Sequence, residues 1–98
     1  MIQIPFKDEF REALASGRKT ATSRFRKYGN PGDLFEGLEM TFELTNVDRV
    51  PLGNVAESFY SAEGLSSPDD FRHVWAGIHP KRTDPSLLVY LHQFKRVK

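Results

Sequence analysis

The sequence predicts an α+β domain: a small, mostly antiparallel sheet or barrel with two or three short helices packed on its side. Three observations carry that reading. The chain has 98 residues, the length of one ordinary domain, and no repeat, low-complexity tract or Gly/Ser linker divides it, so residues 1–98 read as a single unit. One long segment alternates apolar and polar residues with the period of a strand, while others repeat at helical spacing. Strand-like and helix-like pieces interleave, but without the long regular crossovers that parallel strands need.

The elements follow in order. Phe6, Phe10, Ala13 and Leu14 stand at i, i+4, i+7 and i+8, one face of a helix. Gly17 is placed to end that helix, of about ten residues, in a left-handed turn. The Thr-rich TATSRF, Thr20 to Phe25, favours a strand, and GNPGD, Gly29 to Asp33, is a dense loop signal. From Met40 to Val50 the residues Met40, Phe42, Leu44 and Asn46 fall on one side and Thr41, Glu43, Thr45 and Val47 on the other. That is a half-buried strand in which Asn46 is the imperfect member. A helical piece is signalled around Val55 to Tyr60. Another begins with Ser67 as N-cap, Pro68 at the first helical position and Asp69 and Asp70 in the first turn, and it buries Phe71, Val74, Trp75 and Ile78. After the loop GIHPKRTDPS, the closing LLVYLHQFKRV reads as a final strand.

Composition narrows the classes of function. With 39% hydrophobic and 12% aromatic residues the chain can bury one small core and is not a disordered segment. It has no cysteine, which excludes disulfides, thiol nucleophiles and thiolate metal sites, and favours a reducing interior. No stretch approaches the roughly 20 apolar residues of a membrane span, and MIQIPFKDEF lacks the basic-then-apolar run of a signal peptide. A cytoplasmic protein with no membrane partner is therefore expected. His73, His79 and His92 are scattered and lack paired carboxylates, so no metal is expected. Trp75 reads as core; Tyr60 and Tyr90 are undecided between core and cleft rim.

The formal net charge of +1 argues against a histone-like binder of long nucleic acid, yet the charges are segregated. Between Glu12 and Asp33 lie Arg18, Lys19, Arg24, Arg26 and Lys27 and no acid; from Asp33 to Asp70 nine acids face only Arg49; Lys95, Arg96 and Lys98 close the chain. Either these are solvated faces of opposite sign, or the basic run forms a groove with Phe25, Tyr28 and His92 that holds phosphate and stacks bases. Arg24 and Arg26 would share one strand face.

At GRKTATSR, Gly17 to Arg24, the chain resembles the ASCH family, the activating-signal-cointegrator homology domains, through G-x-K-x-x-T-x-R followed by the Pro31–Asp33 turn. AEGLSSPDDFRHVWAGIHP, Ala62 to Pro80, and VYLHQF, Val89 to Phe94, extend the likeness over nearly the whole chain. The resemblance implies a PUA-like fold, a small β-barrel with flanking helices and a cleft near the first helix, and a ligand that is RNA or nucleoside-like. Small stand-alone proteins of this type include amidohydrolases that remove the acetyl group of N4-acetylcytidine. Their active Lys, Thr and Glu fall on Lys19, Thr22 and Glu63. The basic run supplies Arg18, Arg24, Arg26, Lys27 and Tyr28 as ligand-binding candidates, and no cofactor is expected. The alternative is a non-catalytic RNA-binding module using Arg18 to Lys27. A third reading has the basic face dock an acidic protein.

Amide hydrolysis needs a nucleophile, a base and a proton donor, which gives Thr22, Lys19 and Glu63 in those roles. A lysine base must first lose its proton, and an ordinary lysine titrates near 10.4; burial or neighbouring cations such as Arg18 and Arg24 would have to assist. Residues three apart on a strand face opposite ways, so Lys19 and Thr22 converge only if Lys19 sits in the turn after Gly17. Thr20 is an equally available hydroxyl, and Glu63 has the alternative of capping a turn or pairing with an arginine.

Overall fold

The structure is a computed structural model that describes all residues, 1–98. The strands are β1 (Ile2–Gln3), β2 (Ala21–Arg24), β3 (Leu34–Gly37), β4 (Met40–Pro51) and β5 (Leu88–Arg96); the helices are α1 (Arg11–Ser16), α2 (Leu52–Ser58) and α3 (Pro68–Ile78), with a 3-10 turn at Asp8–Phe10 ahead of α1. The five strands form one sheet in the order β1-β3-β4-β5-β2. Only the β1–β3 pair is parallel. The α+β, mostly antiparallel reading therefore holds.

The alternating segment becomes the spine. Met40, Phe42 and Leu44 are buried where β4 pairs with β3 on one side and β5 on the other. The register to β5 shifts between Leu44 and Asn46, a bulge that inserts Thr45 and resets which residues face the core. Asn46 is exposed for that reason. The first helix is shorter than its periodicity suggests, because Asp8–Phe10 adopts a 3-10 turn, but Gly17 ends it in the left-handed conformation, φ 84°. In α3 the Ser67 hydroxyl accepts from the Asp70 amide at 3.0 Å, as its capping sequence requires. No helix is long and apolar enough to cross a membrane.

Apolar side chains gather in two clusters. Ala21, Val89 and Leu91 meet Val55 of α2 and Phe71 and Trp75 of α3. Ile4, Leu14, Phe35, Phe42, Leu44 and Phe94 form the other. Since Leu91 and Phe94 are an odd number apart on β5, alternation assigns the clusters to opposite faces of the sheet.

The sheet differs from the expected barrel: it is not closed. β1, with two residues, and β2, with four, are its edges, and neither offers enough backbone for a closing ladder. They approach through a side chain instead, as Arg24 Nη2 donates to the carbonyl of Pro5 at 2.7 Å.

The two-residue turn between β3 and β4 places Leu38 and Glu39 at φ 49° and 68°, the left-handed pair of a type I′ turn that favours Asn-Gly. Leu38 packs on the core, whereas Glu39 is exposed and makes only a surface ion pair with Arg11. Glu39→Gly should therefore raise stability by about 1 kcal/mol and the melting temperature by a few degrees. A thermal melt that is unchanged or lower would refute this.

Candidate functional site

The site is built where the turn after Gly17 meets the α2–α3 connection. Amides of Thr20 and Ala21 both donate to the carbonyl of Ala62, at 2.7 and 3.0 Å, and Lys19 and Glu63 form an isolated antiparallel bridge. Gly64 adopts φ 89°, and a Cβ there would come within 3.1 Å of Lys19 Cβ. Glycine is thus favoured where the two segments touch.

Lys19 and Glu63 are both buried. Lys19 Nζ donates to the Glu63 carbonyl at 3.0 Å and to its Oε1 at 3.2 Å, and the ammonium stands 4.8 Å from the centre of the Phe10 ring. Ser23 Oγ donates to the other carboxylate oxygen, Oε2, at 2.6 Å. Each oxygen of this buried carboxylate is therefore occupied, as burial of an ion demands.

Thr22 lies on the opposite face of β2. Its hydroxyl accepts from Arg24 Nε at 3.1 Å, and its Cα pairs with His92 of β5. His92 is fully buried; its Nε2 accepts from the Tyr28 amide at 3.1 Å, which puts the proton of the neutral ring on Nδ1, facing the Thr22 carbonyl at 3.4 Å. Burial holds His92 below the usual histidine range, against the Thr22 and Tyr90 carbonyls that oppose it. Desolvation also lowers Arg24, without removing its charge.

Both faces open onto one cavity of about 590 Å³, with Lys19, Thr22, Ser23, Arg24 and Glu63 in its wall beside Phe6, Phe10, Phe25, Tyr28 and Trp75. Arg26 caps the Tyr28 ring at 4.3 Å and Arg24 stacks on Phe6 at 5.0 Å. Across the cavity His79 packs on Trp75, 4.4 Å between ring centres, and is lowered by burial and then by Arg82, Arg24 and Lys7.

The structure thus brings Lys19, Thr22 and Glu63 to one cavity. Lys19 precedes β2 but stands in an extended bridge with Glu63 and not in the turn, so the geometric condition for meeting Thr22 is not met: its side chain touches Glu63 and not the Thr22 hydroxyl. Arg24, Arg26 and Tyr28 line the cavity. Arg18 and Lys27 do not; Arg18 is exposed and paired with Glu12, so it supplies no cation beside Lys19. Trp75 is core and cavity wall at once. Ser23 is the residue that sequence reasoning missed, although Lys19 and Ser23, four apart, share a strand face.

No family model and no curated protein matches the chain. Solved structures do. The ASCH domain of Lactobacillus crispatus JV V101 is 18% identical with a TM-score of 0.69, covering 96% of this chain and 77% of that one. The chain has the ASCH-domain fold. A point mutant of the ASCH protein of Zymomonas mobilis superposes with a TM-score of 0.67 at 14% identity, over 98% and 73% of the two chains. Protein EF3133 of Enterococcus faecalis V583 is 22% identical with a TM-score of 0.72, over 99% and 81%. At these identities the likeness to the ASCH structures is one of fold.

Two outcomes follow from the site's electrostatics. His92 and His79 are held below their unfolded value of about 6.5, so the unfolded chain binds more protons as the pH falls. Their contribution is complete above about pH 6.5 and is lost as pH drops through that value toward the folded pKa values. Urea melts should show lower stability at pH 5.5 than at pH 7, and His79→Gln/His92→Gln should flatten the difference; an equal slope in that variant would refute the assignment. The second outcome concerns the ion pair, whose side chains are only 4% and 7% exposed. Glu63→Leu should cost about 3–5 kcal/mol by stranding a buried ammonium, whereas Lys19→Met/Glu63→Leu should lie within about 2 kcal/mol of the wild type. Urea denaturation decides, and additive losses would refute it.

Proposed function

We propose that this protein hydrolyses a linear amide on a nucleoside-like ligand, with the acetyl amide of N4-acetylcytidine as its substrate. The observation that carries the reading is the buried Lys19–Glu63 pair opening onto an aromatic-walled cavity, with hydroxyls beside it. A buried ion pair is seldom the most stable filling of a small core, and ionisable groups assembled in a cleft are the usual equipment of proton transfer.

Each part of the reaction has a candidate. The rings of Phe6 and Tyr28 suit a flat heteroaromatic base, and Arg24 and Arg26, stacked on them, leave donors for the polar edges of a ligand. Glu63 carries the proton that leaves the nucleophile and returns to the departing nitrogen, while Lys19 holds its carboxylate in place. The nucleophile is a hydroxyl of β2: Thr22 is the position marked by the ASCH resemblance, and Ser23 is the one next to the carboxylate. Exclusion of water by the aromatic wall would strengthen each charge interaction within the site.

A second reading, a non-catalytic RNA-binding module, draws on Lys7, Arg24, Arg26 and Lys27, none of which has a carboxylate within ion-pair distance. One experiment separates the two. Incubation with N4-acetylcytidine should release cytidine, and Lys19→Ala and Glu63→Gln should each lower kcat/KM by about 10²–10⁴, with folding checked by circular dichroism. No cytidine from micromolar protein over hours would overturn the hydrolase; salt-dependent RNA binding without turnover would instead support the second reading.

A further inference from the structure

We propose that Ser23 is the nucleophile of this site, with Glu63 as its general base and Lys19 as the group that orients the base. The inference rests on the amide-hydrolysis reading and assigns the attacking atom within it.

Residues 20–23 offer three hydroxyls. Thr20 is exposed and is not part of the cavity wall. Thr22 is buried in the wall, but its oxygen accepts from Arg24 Nε, and nothing bonded to it can take a proton. The neighbouring His92 is engaged through both nitrogens, with the Tyr28 amide and the Thr22 carbonyl. The Ser23 hydroxyl is different. It donates to a buried carboxylate oxygen at 2.6 Å, while the other oxygen of that carboxylate is fixed by Lys19 at 3.2 Å. A hydroxyl hydrogen-bonded to a base, and a base held by a third group, is the arrangement that activates serine nucleophiles on unrelated folds.

The step balances. Ser23 Oγ attacks the acyl carbon as its proton passes to Glu63 Oε2. The C–N bond then breaks, and the proton moves from Glu63 to the departing amine nitrogen. A water, deprotonated by Glu63, attacks the acyl-serine ester; the C–O bond to Ser23 breaks and the proton returns to Oγ. The carboxylic acid product leaves with the enzyme unchanged. Lys19 keeps its charge beside Oε1 throughout.

The test uses the 98-residue protein with two acetyl donors, N4-acetylcytidine and p-nitrophenyl acetate, acid quenching, and peptide mass mapping of residues 19–26. An acetyl group on Ser23 is expected from the activated ester. Ser23→Ala should lose that adduct and lower turnover of N4-acetylcytidine by at least about 100-fold, while Thr22→Val keeps the adduct. Ser23→Cys guards against a folding defect, because a thiol at this position should still be acetylated, as a thioester. Acetyl on Thr22, turnover in Ser23→Ala within a few-fold of wild type, or wild-type turnover with no adduct would each overturn the assignment. Acetylation of Ser23 by the ester without release of cytidine from N4-acetylcytidine would uphold the nucleophile and overturn the substrate.

Discussion

The Glu63 carboxylate is the group on which the rest of the site depends. It sits in a turn between α2 and α3, yet its two oxygens are held by Lys19 and Ser23, the residues that lead into and lie within β2. Backbone bonds from Thr20 and Ala21 to Ala62 run alongside. A carboxylate taken out of water costs several kcal/mol unless every lone pair is engaged, so the position of the α2–α3 connection is fixed by the need to bring Glu63 to those donors. Lys19 likewise depends on Gly64, whose φ of 89° strains any side chain and where an added Cβ would crowd Lys19 Cβ at 3.1 Å. The same atoms that clamp the two segments stand in the cavity wall.

The cavity exists because the sheet does not close. β2 is an edge strand bonded to β5 on one side only, and its other side is where α2, α3 and the segment after β1 leave space. An interior strand shows a ligand one face at a time, but an edge strand shows both. Ser23 and Lys19 reach the cavity from the face carrying α2 and α3, while Thr22 and Arg24 reach it from the face carrying Tyr28 and His92. Arg24 spans the remaining gap to Pro5, so one side chain stands in for the missing ladder while leaving the edge of β2 accessible.

How much of this is legible in the sequence follows from how local each cause is. α3 is readable because its cap, its proline and its apolar spacing all lie between Ser67 and Ile78, and β4 because its alternation survives from Met40 to Leu44 before the bulge. The bulge leaves only a trace, the polar Asn46 in an apolar column, since a register shift is set by the partner strand. β1 and β3 escape because strands of two and four residues are too short to show a period; they exist through pairing, not propensity. The K-x-x-T spacing points to the cavity but not to its bonding. Glu63 is 40 residues from Ser23, and no local pattern announces that its second oxygen needs a donor.

The charge distribution sharpens what kind of ligand the cavity can hold. The basic run from Arg18 to Lys27 is not one groove: Arg18 is spent on Glu12 at the surface, Lys19 on Glu63 inside, and Lys27 faces solvent. What remains at the cavity is Arg24 and Arg26 around Tyr28, joined by Lys7 beside the 3-10 turn; Arg82 stands behind the wall, its guanidinium 3.5 Å from the Phe25 ring centre. Lys7, Arg24 and Arg26 come from two separate segments and line the same cavity, each free of a carboxylate. They add positive charge to the wall of the aromatic cavity. A long nucleic acid gains its affinity by releasing counterions along many phosphates, whereas at this cavity only Lys7, Arg24 and Arg26 line the wall free of a carboxylate. Local cations beside aromatic rings suit a small anionic or polar group better than an extended polyanion.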